Sequence, residues 1–571
     1  MHARQPLRVP VGREALRWST FRGEKTLVVA ARTVTSTARV LECLPALLRG
    51  DSRVAVVFAH DPTSAFSDGV LDLLHDEGCR VIPWGHVAAA APDLIVSASE
   101  NIDVPEGDCP VLVLPHGIGF QKHVPDSRAP RSRLSGVVPD RLLESGRAWL
   151  ALSHPDQEEQ LLATHPRVAG RTLLIGDPCF DEMLLSASRA GAYRAALGVP
   201  EGQRLVVLSS TWGPTSLLGQ DPGLPARVLA ALPYDGFRVA AIIHPNVWSG
   251  HGSWQIRTTL AAALDAGLIL VPPVHAWRPA LVAADAVVGD HGSVTLYGAA
   301  LGKPVLLAAF GSDAVPGTAA DSLGRAAPRL DPLGDVFRQI TAAVGEHTPE
   351  RYRAIAEQAF AEPGQALPHL RTALYRLMGL PEPAPDSSPP GLMLPAPEEA
   401  VSSVSAWTVA TAASRHDGQP AVTVRRRPAA VYGADRETAE TFTHLACDEA
   451  ERDRRLVESA SVLVRRRALP TTAAALRWVE ETLGRFPGCR LAAVAPAGGG
   501  FLVGLRDGRV VEASVTGPAA DPGLVAATVY TLLRTGAPLD DVMVTLRIAG
   551  VRDEDVSLRL RPRRPSTGPA C

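Results

Sequence analysis

Lysine is nearly absent from this chain. Three lysines stand against 54 arginines, with alanine, glycine and proline abundant, which reads as the coding bias of a GC-rich bacterial genome. The imbalance does not make the protein basic. Its 57 lysine and arginine side chains meet 60 acidic ones for a formal net charge of −3. There is no global basic footprint, and no nucleic-acid partner is expected. Long apolar runs are missing as well: none approaches the ~18–20 residues that span a bilayer, so no integral membrane segment is expected. The opening stretch MHARQPLRVPVGREALRWST carries basic residues but no continuous apolar region, so it is not expected to act as a signal peptide. Cysteines are few and scattered (Cys43, Cys79, Cys109, Cys179, Cys447, Cys489, Cys571), odd in number and without a CxxC pair. That pattern excludes a disulfide framework and suggests reduced thiols in a cytoplasm. No metal site is expected.

What the chain does have is core material. Of its 571 residues 46% are apolar and 20% charged, enough for about three or four domains. Between residues 22 and 378 short apolar strands alternate with helical stretches. Strands are expected at Thr26–Ala31, Val54–Phe58, Arg80–Pro83, Leu94–Ser97, Val111–Leu114 and Thr172–Ile175. The pattern then restarts with Leu205–Ser209, Val239–Ile243, Leu268–Val271, Ala286–Gly289 and Val305–Ala308. Strands that are apolar throughout and separated by helices predict parallel sheets covered on both faces. The expected fold class is α/β: two Rossmann-like doubly wound domains, 22–175 and 176–378, facing each other across a cleft. Residues 379–403 have the Pro/Ser-rich composition of a linker. Residues 404–565 are expected to form a separate α+β module, with a hairpin over Ala406–Arg426, a long charged helix over Glu437–Val464, a second helix over Thr471–Gly484 and strands within Leu491–Val515. The role of this module is not readable.

Four segments at predicted strand ends carry chemistry. In Asp285–Pro304 a strand runs into Gly289-Asp290-His291 before Gly292-Ser293 opens a helix, where free N–H groups and the helix dipole suit a phosphate. Ser293 fits an N-cap, a phosphate ligand or both; a capped helix with no ligand is the plain alternative. Pro115–Lys122 places His116 after a strand, between residues that keep the loop open. A histidine facing a cleft can accept a proton from a hydroxyl, and a structural histidine bonded to a loop carbonyl is the alternative. Leu208–Gly213, with Thr211 and Trp212, sits at a first βα turn and can cradle a pyrophosphate or be an ordinary turn. In Ile242–Asn246, His244 can donate to a phosphate oxygen, or Pro245 merely stops the strand. Outside these segments, Ser153 fits the N-cap of a helix through Asp156–Glu159. The pair His251-Gly252, near Trp248 and Trp254, suggests either a mobile loop over the cleft or a surface loop packed on its aromatics.

Taken in order, these segments resemble the two-domain GT-B glycosyltransferases, and most of all the CDP-glycerol glycerophosphotransferases of teichoic acid synthesis, over roughly residues 25–378. The family's His-Gly motif with a following Lys is similar to His116-Gly117 and Lys122. Its G-x-P-x-x-D step resembles Gly176–Asp181, its P-T-W-R turn Ser210–Gly213 and its R-x-H-P strand end Ile242–Pro245. Its T-D-Y-S-S segment with a later K-P resembles Gly289–Ser293 and Lys303-Pro304. Gly213 and Ile242 stand where the family has arginine, and His291-Gly292 replace Tyr-Ser. The His-Gly-Ser form is also similar to nonhydrolysing UDP-N-acetylglucosamine 2-epimerases. The resemblance implies a bacterial cell-envelope transferase that uses a nucleotide-diphospho donor as substrate, without a separate cofactor. It implies His116 as general base. It also implies substrate binding by Gly117, Lys122, Thr211, Trp212, His244, Asp290, His291, Gly292 and Ser293. The partners it implies are the nucleotide-activated donor and a hydroxyl acceptor, soluble or lipid-linked, met in the cytoplasm or at the membrane surface. The alternatives are a degenerate GT-B protein that senses a nucleotide and a nucleotide-sugar epimerase.

Overall fold

The apolar strands of the first half pair as their composition requires. The computed structural model describes residues 17–21, 23–125, 132–384, 391–395, 404–416, 418–432, 441–517 and 521–562. In chain order the first strands are β1 (Lys25–Ala31), β2 (Val54–His60), β3 (Val81–Pro83), β4 (Leu94–Ser97) and β5 (Val111–Val113). A small hairpin of β6 (His123–Pro125) and β7 (Ser132–Leu134) follows, then β8 (Ala148–Leu152) and β9 (Thr172–Leu174). Seven of these form one parallel sheet in the order β3-β2-β1-β4-β5-β8-β9. The second domain repeats the plan with β10 (Arg204–Ser210), β11 (Phe237–Ile243), β12 (Ile269–Leu270), β13 (Ala286–Gly289) and β14 (Val305–Leu307), in the order β12-β11-β10-β13-β14. Both sheets are doubly wound and reverse direction between their first and fourth strands. The loops leaving β1 and β4, and β10 and β13, therefore open into crevices at topological switch points. Strand β8 and the β6–β7 hairpin are additions to the expected set.

The chain crosses between the two domains twice. It leaves the first after β9 through Gly176, whose positive φ of 88° places it against Ala366. It returns through the helix Ala366–Met378, whose Leu370, Leu374 and Met378 pack into the same core as Leu27 and Val29. The expected boundary at 378 thus places this helix with the wrong core: its 4-residue apolar repeat announces a buried face but not the partner. Asp181 stitches the crossings together, accepting from the N–H groups of Gly364 (2.7 Å) and Ala366 (2.8 Å). Ser153, expected as an N-cap, is spent here as well. Its hydroxyl donates to the Ala359 carbonyl and its own carbonyl accepts from Ala361 N–H, while Pro155 takes the cap position of the helix Asp156–Thr164. Part of the linker is strapped to the second domain, with Leu392 buried and its carbonyl held by Arg189 and the Tyr193 hydroxyl. Residues 385–390 and 396–403 of the linker lie outside the described residues.

The C-terminal module is a closed nine-stranded barrel. It comprises β15 (Ala406–His416), β16 (Gln419–Pro428), β17 (Thr441–Asp448), β18 (Val462–Leu469), β19 (Leu491–Pro496), β20 (Phe501–Leu505), β21 (Val510–Val515), β22 (Val542–Ile548) and β23 (Arg552–Leu560), around the buried helix Pro522–Thr535. The expected long helix over Glu437–Val464 is replaced by β17, a short helix Arg454–Ser459 and β18. TFTHLACD alternates with period two, and the charges that suggested a helical face are gathered in the turn after it. Its first residues, 437–440, lie outside the described residues. The central helix is apolar on all sides, as a helix enclosed by a barrel must be. Its buried hydroxyls are satisfied locally, Thr528 donating to the Leu524 carbonyl and Thr531 to that of Ala527.

The barrel docks on the second domain away from the cleft. Arg426 of β16 reaches both oxygens of Asp235 (2.9 and 2.6 Å) and also Asp521, the N-cap of the central helix (2.8 Å). Tyr234 and Asp235 precede the start of β11, so this contact lies at the end of the sheet opposite the ligand-binding loops.

Candidate active site

Every functional segment anticipated in the sequence sits at a strand's carboxyl end, and the two domains bring those ends together. A cavity of about 470 Å³ opens between them, lined among others by His116, Gly117, Lys122, Thr211, Trp212, His244, His291, Gly292 and Ser293. Two sheets of Rossmann order thus face one another across a ligand-sized cleft, with a terminal helix returning to the first domain. The fold is GT-B-like. No family model matches the chain, and no curated protein matches it. Among solved structures, the chain is similar to a variant of the wall teichoic acid polymerase TagF, at 13% identity over 62% of this chain and 89% of that one, with a TM-score of 0.46. It is also similar to the UDP-GlcNAc 2-epimerase from Neisseria meningitidis bound to UDP-GlcNAc, at 14% identity over 62% and 100%, TM-score 0.38. A third likeness is to a glycosyltransferase from Rickettsia africae, at 11% identity over 62% and 98%, TM-score 0.35.

On the first-domain wall of this GT-B-like cleft, His116 is oriented by the loop after β4. Its Nδ1 lies 3.3 Å from the Ala98 carbonyl, which can only accept, so in the neutral ring Nδ1 carries the proton and Nε2 the lone pair. Gly117 follows because nothing larger fits: a Cβ there would lie 2.7 Å from the Ser293 hydroxyl oxygen of the opposite domain. The same oxygen accepts from Ile118 N–H at 3.2 Å. Ser293 is therefore the first helical residue and a cross-domain contact, while Gly292 takes the N-cap position.

On the second-domain wall, His244 caps the helix Pro245–Thr259, its Nδ1 accepting from Asn246 N–H at 3.1 Å. Its Nε2 is consequently a donor. Burial, and then the neighbouring His116 and Lys122, push its pKa down to about 3, which keeps the ring neutral near pH 7. The segment around His251-Gly252 is part of this helix and not a loop. Gly252 kinks it at φ 76°, Trp248 donates to the Ile243 carbonyl, and Trp254 is 74% exposed.

Two of the anticipated ligands have structural duties. Asp290 is fully buried and is not among the residues lining the cavity. Its Oδ2 accepts from the N–H groups of Thr211 and Leu217, and its Oδ1 from that of Gly292. It thereby ties the loop after β10 to the loop after β13 instead of meeting a substrate. Burial pushes its carboxyl above the usual range against the pull of these donors. His291 lines the cleft but uses both nitrogens: Nδ1 accepts from Gly311 N–H (3.1 Å) and Nε2 donates to Asp313 (2.9 Å). Asp313 also takes Lys122 across the cleft at 3.1 Å. Burial opposes its charge, yet His291 and Lys122 hold its carboxyl well below the usual range. Lys122 lies over the Trp212 ring, which meets Phe66 of the first domain at 5.8 Å. Lys303 turns away to the Val282 carbonyl.

Several lining residues have no motif to announce them. Arg32, Arg39, Glu100 and Arg133 belong to the first-domain wall. Arg32 pairs with Asp61, Arg39 with Asp177, and Arg133 with Glu100. With Lys122 on Asp313, each cation lining the cleft is matched to a carboxylate. Among the described residues no group of three or more His, Cys, Asp or Glu side chains could hold a metal ion, and no helix is long and apolar enough to cross a membrane.

Proposed function

We propose that this protein is a GT-B-type transferase that moves a glycosyl or glycerophosphoryl group from a nucleotide-diphospho donor to a hydroxyl acceptor. One observation carries the reading. His116, aimed by the Ala98 carbonyl so that the neutral ring presents Nε2 as an acceptor, shares a cavity with neutral His244 and the Ser293 helix start of the opposite domain. The acceptor hydroxyl gives its proton to His116 Nε2 while its oxygen attacks the transferred group. The bond to the nucleotide phosphate breaks, and its electron pair stays on the phosphate oxygen. That charge develops beside the N–H groups that open the helix Ser293–Ala300 and the Nε2–H of His244. Trp212 and Phe66, which meet at 5.8 Å and line the same cavity, contribute apolar surface that limits competing water. The donor is a substrate here and not a resident cofactor.

A second reading, a nucleotide-binding sensor or regulator, is favoured by the pairing of all four lining cations, which leaves a diphosphate without an uncompensated positive charge. An epimerase would use the same donor wall without an acceptor. Thermal-shift titration with CDP-glycerol and with UDP-, GDP- and dTDP-sugars tests the donor site. At 100 times its dissociation constant a ligand adds about 2.7 kcal/mol to the folded state. The shift should vanish in His244→Ala and Ser293→Ala. Turnover with the binding donor should fall about 10²–10⁴-fold in His116→Ala. Donor binding without transfer to any hydroxyl compound selects the sensor, product isomerised at the sugar selects the epimerase, and an active His116→Ala removes the proposed base.

A further inference from the structure

The loop that leaves β4 gives His116 more than a carbonyl. Ser97, fully buried, donates its hydroxyl to the Ser99 carbonyl (2.8 Å) and accepts from Ser99 N–H (2.9 Å). This closes a tight turn in which Ala98 is held against His116 and Glu100 comes next. Glu100 is 5% exposed and lines the same cavity as His116. Its Oε1 accepts from Arg133 Nη2 at 2.7 Å, and Arg133 arrives from the β6–β7 hairpin, an excursion of the chain between β5 and β8. A buried carboxylate is costly unless opposing charges face it. Burial works against the Glu100 charge, and His116 when protonated and then Arg133 override it, so its carboxyl sits below the usual range. None of these residues belongs to a recognisable motif, yet one short loop supplies both the carbonyl that orients the ring and a buried carboxylate on the wall of the same cavity.

We propose that Glu100 is the positioning residue for His116. Its carboxylate stabilises the imidazolium formed when His116 accepts the acceptor proton, and Arg133 keeps Glu100 ionised and aimed. The inference rests on the transferase reading for its chemistry, but its physical content is an electrostatic coupling that exists without substrate. Other charged or titratable groups at this part of the cleft are His244, Lys122 and Arg39, whose Nε donates to the Pro115 carbonyl and whose charge is met by Asp177. His244 is neutral near pH 7, and the Lys122 charge is already met by Asp313. Glu100 and Arg133 therefore act on the ring with opposite signs, and removing either unbalances it in a known direction.

The test follows the rate of diethylpyrocarbonate modification at His116 against pH, read by mass spectrometry of the peptide that contains it, in the full chain. In Glu100→Gln the ring loses its anion and keeps Arg133, so the midpoint of the profile should fall by about one pH unit or more, a tenfold change in the protonated fraction. In Arg133→Gln it should rise. A merely structural role for the pair would not move the midpoint in opposite directions. Midpoints that stay within about 0.3 pH unit of the wild type in both variants, or that move the same way, overturn the proposal. If Glu100→Gln does not fold, Arg133→Gln and Glu100→Asp decide it: the midpoint should rise in the first and fall in the second, whose shorter side chain withdraws the carboxylate. Opposed shifts in a chain that transfers nothing would refute the transferase reading alone. Transfer activity with unmoved midpoints would refute the role of Glu100 alone.

Discussion

Replacing Arg426 by leucine should uncouple the barrel from the two-domain unit. The guanidinium is 3% exposed and Asp235 5% exposed, and they meet in a bidentate pair that also takes Asp521. Removing the cation leaves the Asp235 carboxylate buried with its two strongest donors gone. Breaking a buried pair in this way typically costs about 3–5 kcal/mol, because an uncompensated charge remains. Asp235 belongs to the second domain and Asp521 to the barrel, so the loss falls on their junction and on the cap of the central helix together. The measurement is urea denaturation of the full chain, with hydrogen-exchange protection of the segment 522–532 reporting the barrel. Arg426→Leu should lower the barrel transition by the stated amount. Adding Asp235→Asn removes the stranded charge and should restore about 2–3 kcal/mol as a double-mutant interaction energy. A loss below about 1 kcal/mol in the single variant, or no recovery in the double, would show that the junction is held by apolar packing alone.

The other expectations concern the barrel core and the cross-domain loop. His444 is 4% exposed and packed against Tyr530, the rings tilted by 35° with centroids 4.1 Å apart, with neither ring nitrogen hydrogen-bonded, and burial followed by the Arg534 charge pushes its pKa down to about 3. The fold refuses a proton that the unfolded chain accepts near pH 6.5. Its contribution is therefore whole above that pH and falls by about 1.4 kcal/mol per pH unit on acidification towards 3. His444→Leu should remove that slope, so that the stability of the variant relative to the wild type rises by about 2.3 kcal/mol between pH 6.5 and 4.5; a constant difference refutes it. His244 has a similarly low value, and the comparison cancels its share. Gly117→Ala places a Cβ 2.7 Å from the Ser293 hydroxyl oxygen and should cost about 1–3 kcal/mol. Ser293→Gly in the same chain should return most of it in thermal unfolding, and an equal loss in the double variant would locate the strain elsewhere.

The strand ends were legible because apolar runs followed by His-Gly, Thr-Trp, His-Pro and Gly-Ser are local signals, and eight of the nine anticipated binding residues, together with His116, line one cavity. Asp290 broke the pattern for a physical reason: an aspartate at a strand end serves equally well as an acceptor for loop N–H groups, and spacing does not separate the two uses. Glu100, Arg133 and Phe66 were invisible because each acts through a tertiary contact, Arg133 from a hairpin that the strand pattern does not show. Barrel closure was equally unreadable, since β16 pairs with β22 across more than a hundred residues. The central helix was not anticipated, although its local signal is present. PGLVAATVYTLLRT follows an aspartate that can cap it and is apolar on every side, the signature of an enclosed helix.

The double crossing between the domains governs how the cleft can move. A single connection would leave two bodies free to twist, slide and swing. Here Asp181 ties the second crossing to the first, and Ser153 anchors the segment before it. The two crossings, tied to each other, restrain the domains more than a single strand would, and His275 and Arg278 add a further tie to Glu42 of the first domain. Lys122 with Asp313 and Phe66 with Trp212 also join the two domains, and beside them His123 N–H donates to the Asp313 carbonyl and Val315 N–H to the Gln121 carbonyl, so widening the cleft has to part a backbone seam as well as side chains.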